Sequence, residues 1–86
     1  MKKTKKAIRQ LGKRIRTMRL DRGWSQDHLG FLIDVEQTYI SAVERGVYSP
    51  SFAKIVQLAD AFEVTLSEFL EGIGTQEKKL STPADN

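Results

Sequence analysis

The sequence predicts an all-α fold, a compact domain of five helices. Three observations carry this expectation. Apolar residues recur at spacings of three and four through most of the first 72 residues, the period of one helix face. Ser25, Ser51 and Thr65 each stand just before such a stretch, where a side-chain oxygen accepts from an orphan backbone N–H. No segment carries the two-residue alternation of a half-buried strand.

The elements follow in order. Ile8, Leu11, Ile15 and Met18 place one apolar stripe on a helix from about 7 to 22, with Lys and Arg on its other faces and Gly23 ending it. Ser25 starts a second helix through Leu29 and Ile33. Asp34 then takes the left-handed conformation that turns the chain, which Asp tolerates better than most residues, and Val35 points back to the core. A third helix spans about 36 to 45, with Ile40 and Val43 inward and Gly46 as its stop. Pro50 bars continuation, and Ser51 opens a fourth helix whose inward residues are Phe52, Ile55, Val56, Ala59 and Phe62. Thr65 and Glu68 form a capping box over the short fifth helix, which Gly72 closes. This divides the chain into a basic arm, 1–6, a helical domain, 7–72, and a polar, flexible tail, 73–86.

Composition narrows the function. With 86 residues and 40% hydrophobic content the chain supports one core, and it contains no cysteine for a disulfide or a thiolate metal site. His28 is the single histidine and has no partner at ligand spacing, so no metal and no cofactor are expected. Ser, His and Asp occur without a constellation that would make an enzyme. No apolar run reaches the roughly 18 residues of a membrane span, and MKKTKK is followed by AIRQLGKRIR rather than an apolar signal core, so a cytoplasmic protein is expected. The net charge of +3 is unevenly spread: residues 1–24 carry ten Lys or Arg against Asp21 alone, while residues 25–86 carry four basic against ten acidic groups. Such a basic segment suits a polyanionic partner.

The stretch SQDHLGFLIDVEQTYISAVERG, residues 25–46, holds two short helices joined by a tight turn. Helices of eight or nine residues are marginal in water, so this pair must be carried by the other three. Val35, Ile40 and Val43 bury one edge of the second member; Gln37, Thr38, Ser41, Ala42 and Arg45 form its other edge. A protruding helix with small and hydrogen-bonding groups, braced from behind, fits the major groove of double-stranded DNA. That is a helix-turn-helix.

The ordered pattern S-Q-x-x-L-x-x-x-x-x-V-x-x-x-x-I-S-x-x-E-R-G, continued by PSFAKIVQLADAFEVTLSEF, resembles the Cro and lambda-repressor type of helix-turn-helix, the Xre family. The likeness covers about residues 11 to 71, and TYISAVERG is also similar to the controller proteins of restriction–modification systems. The resemblance implies a sequence-specific transcriptional regulator, such as a repressor, that binds a near-palindromic operator as a homodimer. By position it implies base reading by Gln37, Thr38, Ser41 and Ala42. Gln26 matches a glutamine that bonds phosphate and steadies the first reading residue. Arg45, Tyr48 and Ser51 fall at phosphate-contacting positions, joined by Lys5 and Lys6 of the arm. Leu66, Phe69, Leu70 and Ile73 are the expected subunit interface, and no small-molecule effector is expected.

Several residues depart from that pattern or need a separate account. Asp34 stands where Gly is usual, Gly30 where a small Ala is usual, and Glu36 where Ser or Thr usually caps the reading helix. Residues 25–50 have a net charge of −3, so compensating charge must come from Lys2, Lys3, Lys5, Lys6 and the start of the first helix. Glu44 is expected to be a structural carboxylate bonded to Arg14 or Arg19, and Trp24 to pack at a helix junction; Phe31 is spaced away from Leu29 and Ile33, on an outer face where it either covers Tyr48, the favoured reading, or binds a partner. The acidic middle also admits a second reading, a protein–protein interaction module of antitoxin or coactivator type. Salt dependence separates the two, because counterion release makes DNA binding weaken steeply with salt.

Overall fold

The computed structural model describes residues 2–75, with the side chains from Thr4 onward. Five helices form among them: α1 (Lys2–Asp21), α2 (Gln26–Leu32), α3 (Gln37–Glu44), α4 (Phe52–Phe62) and α5 (Leu66–Leu70). The expected caps are present. Ser25 Oγ accepts from His28 N at 2.9 Å, and Ser51 Oγ accepts from Lys54 N at 3.2 Å. Thr65 and Glu68 close their box through bonds of 2.8 and 3.0 Å. Asp34 takes φ 60°, and Gly46 follows α3 at φ 77°. Glu63 ends α4 at φ 60°, a left-handed stop made without glycine.

α1 begins at Lys2, not near residue 7. The apolar period marks only the length of helix that covers the core, whereas a helix once nucleated propagates through any good helix former, and Lys2 to Lys6 include four lysines. Lys5 and Lys6 therefore sit exposed on the opening turns of a helix rather than on a separate arm. At the other end, residues 73 to 75 belong to the folded unit: Ile73 is half-buried, and Gly74 N donates to Gln10 Oε1 at 2.7 Å. The rest of the expected tail lies outside the described residues.

The core consists of Leu11 and Ile15 from α1, Leu29 and Ile33 of the α2 segment, Ile40 and Val43 from α3, Leu58, Ala59 and Phe62 from α4, and Phe69 from α5. Phe62 and Phe69 meet at 5.9 Å between ring centroids. Trp24 also stacks on Phe62, at 5.7 Å, closing the α1–α2 junction as its sequence position suggested. Phe69 is fully buried, so it is part of the monomer's own interior and not of a subunit interface. Leu66, Leu70 and Ile73 pack against the core and remain half-exposed. Phe52 also departs from expectation, at 65% exposure. Burial rises along α4 from Phe52 through Ile55 and Val56 to Ala59 and Phe62, so the apolar stripe outruns the core at its first turn.

α1 serves as the strut against which the rest is fastened. Arg14 donates to the carbonyls of Phe69 at 2.7 Å and Glu71 at 2.6 Å, satisfying backbone acceptors at the end of α5. Arg22 donates to Phe62 O at 2.8 Å, and its guanidinium lies 5.0 Å from the Phe62 ring. On another face α1 approaches α3 closely. A Cβ at Gly12 would lie 2.4 Å from Val43 O and 2.6 Å from Glu44 O, backbone atoms that cannot swing away. Gly30 in α2 does the same against the turn that follows, where a Cβ would lie 2.7 Å from Val35 O, so the Ala usual at this place would not fit without movement.

Gly12→Ala should therefore destabilise the domain by about 1–3 kcal/mol, the usual cost of overpacking, by forcing α1 away from α3. Urea denaturation followed by circular dichroism measures it, and a variant as stable as the parent would show that this approach is slack.

Candidate nucleic-acid interface

The site begins with a buried ion pair. Arg19 of α1 donates from Nε to Glu44 Oε2 at 2.7 Å and from Nη2 to Glu44 Oε1 at 2.9 Å, a two-pronged bond between side chains that are 7% and 2% exposed. Arg19 Nη1 also donates to Trp24 O at 2.9 Å. The hydrogen bond to Glu44 holds the guanidinium above its ordinary pKa, with the carboxylate's charge adding to it and burial opposing both. Of the two arginines expected for Glu44, Arg19 makes the bond, while Arg14 is engaged by α5.

From this pair a chain of bonds runs outward. Gln26 Nε2 donates to Glu44 Oε1 at 3.0 Å, and Gln37 Nε2 donates to Gln26 Oε1. Gln37, the first residue of α3, is exposed, so the buried arginine of α1 is linked through three side chains to the surface. Arg16, mostly exposed, lies 3.9 Å from Glu44 and adds positive charge on that side.

The outer edge of α3 has the expected composition. Thr38 is exposed, Ser41 and Ala42 are half-buried, and Arg45 is exposed with Nε donating to Ser41 Oγ at 3.3 Å. Ile40 and Val43 are buried behind them. Tyr48 folds onto Tyr39, ring centroids 5.3 Å apart, instead of lying under Phe31. Burial, and to a lesser degree Tyr48, pushes the Tyr39 phenol above its usual pKa. The two rings border a shallow, mainly apolar hollow with Val35, Glu36, Thr38 and Ala42. Phe31 is 79% exposed and instead borders a second hollow with Asp27, Asp34, Glu36 and Gln37. Glu36 occupies the cap position of α3 and makes no side-chain capping bond.

Positive charge reaches this face from α1. Arg9 packs against Gly46, directly after α3, and the exposed Lys5 and Lys6 lie one turn earlier on the same helix. Lys54, by contrast, is tied to Ile33 O and Gln57 Oε1, each at 3.0 Å, and holds α2 to α4. The Ser51 hydroxyl caps α4. Arg9 and Arg16 thus join the site in ways their sequence spacing did not reveal, because each is brought to α3 only by the close α1–α3 packing.

The Helix-turn-helix family model matches residues 15–69. This chain belongs to the Xre-type helix-turn-helix family. The control protein C.BamHI of Bacillus amyloliquefaciens is 35% identical over 71 residues, spanning 79% of this chain and 88% of that protein. The Neisseria hypothetical transcription factor of Neisseria meningitidis serogroup B is 31% identical over 71 residues, 83% of this chain and 67% of the relative. Among solved structures, the restriction–modification controller protein C.AhdI from Aeromonas hydrophila superposes with a TM-score of 0.68 at 34% identity, covering 72% of this chain and 90% of that one. As an Xre-type helix-turn-helix protein with such relatives, this protein is a DNA-binding transcriptional regulator and not an enzyme. No helix among the described residues is long and apolar enough to cross a membrane.

The family's helix pair is here locked to α1 by the ion pair, and breaking one side leaves an uncompensated buried charge. Arg19→Ala and Glu44→Ala should each cost about 3–5 kcal/mol, and the double variant well short of the sum. Thermal and urea unfolding of the three proteins check this; additive losses would mean that the two side chains act independently.

Proposed function

We propose that this regulator binds a near-palindromic operator as a homodimer, each subunit setting α3 into a major groove, with the two grooves one helical turn, about 34 Å, apart. The observation that carries the reading is the exposed edge of α3, Gln37, Thr38, Ser41 and Ala42, backed by buried Ile40 and Val43 and braced through Gln26 and Glu44. Gln37 retains an amide N–H and its carbonyl oxygen for the N7 and N6 of adenine. Thr38 offers a methyl group to a thymine methyl, while Ser41 and Ala42 lie one turn further along the groove.

Affinity in this reading comes from phosphate. Gln26 keeps one N–H beyond its bonds to Glu44 and Gln37, and Arg45, Tyr48 and the start of α4 at Ser51 follow the backbone on the far side. The carboxylates of Asp27, Asp34 and Glu36 oppose this, so Lys5, Lys6, Arg9 and Arg16 on α1 supply the balance. Leu66, Leu70 and Ile73, half-exposed at the end away from the reading edge in sequence, are the proposed subunit interface. Such a regulator works in the cytoplasm on the operator alone, without a small-molecule effector.

Selection of sites from randomised duplexes, followed by sizing of the complex, tests the reading. Gln37→Ala should relax preference at one base pair per half-site, a loss of about 1–3 kcal/mol of discrimination, and keep much of the nonspecific affinity. Lys5→Ala with Lys6→Ala should leave preference intact and lower the salt slope by about 1 for each phosphate that is no longer neutralised. Binding insensitive to salt, with no site enriched, would favour the protein–protein module instead.

A further inference from the structure

Glu44 is buried behind α3, yet the bonds around it bear on which base is chosen. A carboxylate only accepts hydrogen bonds. Both Glu44 oxygens take Arg19 donors, and Oε1 takes Gln26 as well. Gln26 must therefore turn its amide NH2 toward Glu44, which leaves its carbonyl oxygen facing Gln37. A carbonyl oxygen also only accepts, so Gln37 must in turn present NH2, and it does. Each carboxamide has one donor end and one acceptor end. The direction of both is thus decided by Glu44, whose two oxygens already accept from Arg19 and Gln26.

We propose that Glu44, acting through Gln26, is a positioning residue that fixes the order in which Gln37 presents donor and acceptor to the groove, and so selects adenine there. This rests on the reading of α3 as the base-contacting helix. With one Nε2 hydrogen held by Gln26, Gln37 has the other hydrogen and Oε1 side by side, the pair that matches N7 and the N6 amino group of adenine. An inverted amide would offer the same two groups in reverse order and would set its oxygen against N7, an acceptor. Holding the amide by a relay anchored in the core also removes the rotation that an exposed glutamine otherwise loses on binding. Arg19 enters this account only as the partner that keeps Glu44 in place, since any cation there leaves Glu44 a pure acceptor.

Site selection from randomised duplexes with the full chain tests this, reading the base pair at which Gln37→Ala loses preference. Glu44→Gln places a donor at the head of the relay and lets Gln26 invert; adenine preference at that pair should fall about fivefold or more, with the other positions unchanged. Gln26→Met keeps the shape and the Arg19–Glu44 pair but carries no relay, and should relax the same pair to a similar degree while melting close to the parent protein. Arg19→Lys should lower the melting temperature yet keep the preference. Wild-type preference in both Glu44→Gln and Gln26→Met, relaxation by Arg19→Lys as large as that by Glu44→Gln, or a base other than adenine selected by the parent protein would overturn the proposal. Should the parent enrich no sequence at all, the base-reading role of α3 fails first, which separates that outcome from a failure of the relay.

Discussion

The Arg19–Glu44 pair is the constraint on which the rest of the molecule depends. It joins α1 to the back of α3 where two backbones already approach within the space that only Gly12 permits. Two desolvated charges are costly unless their bonds are nearly complete, and here the guanidinium serves two carboxylate oxygens and a carbonyl, while the carboxylate also serves Gln26. A short helix such as α3 has little stability of its own. Its pose is borrowed from α1, and the ion pair specifies that pose more narrowly than apolar packing alone would, since Ile40 and Val43 could slide where a two-pronged bond could not.

The same junction resolves an electrostatic difficulty. The helix pair proposed to meet DNA carries more acidic than basic groups, with Asp27, Asp34 and Glu36 gathered around the start of α3. A family regulator with that local charge needs cations from elsewhere, and α1 brings Arg9 beside Gly46 and Arg16 near Glu44. Because α1 runs unbroken through Lys5 and Lys6, these two lysines stand on helical turns rather than on a loose arm. Ordered cations cost less entropy to place against phosphate than mobile ones.

Much of the local structure was legible in the chain. Ser25, Ser51 and the Thr65–Glu68 box act within three residues of themselves, and the turn at Asp34 depends on that residue's own tolerance of positive φ. Such features survive in any tertiary setting. The left-handed stop at Glu63 was not legible, because its side chain gives no sign of it; the stop follows from Val64 needing to reach the core. Leu66, Phe69, Leu70 and Ile73 share one helical stripe, and a stripe does not say which members face their own core and which a neighbour. Packing against Phe62 decides that Phe69 is interior.

By itself the sequence determined five helices, their caps and turn, the outward edge of α3 and the likeness to the Xre family, because periodicity, capping chemistry and an ordered motif act over a few residues or are matched position by position. The tertiary structure alone decided that Glu44 takes Arg19 and not Arg14, that Tyr48 pairs with Tyr39 and not with Phe31, that Phe52 stays outside, and that Gln37 is reached from α1 through Glu44 and Gln26. Those pairings join residues from different helices. Which partners meet depends on how closely the helices approach and rotate, and no short-range pattern encodes that.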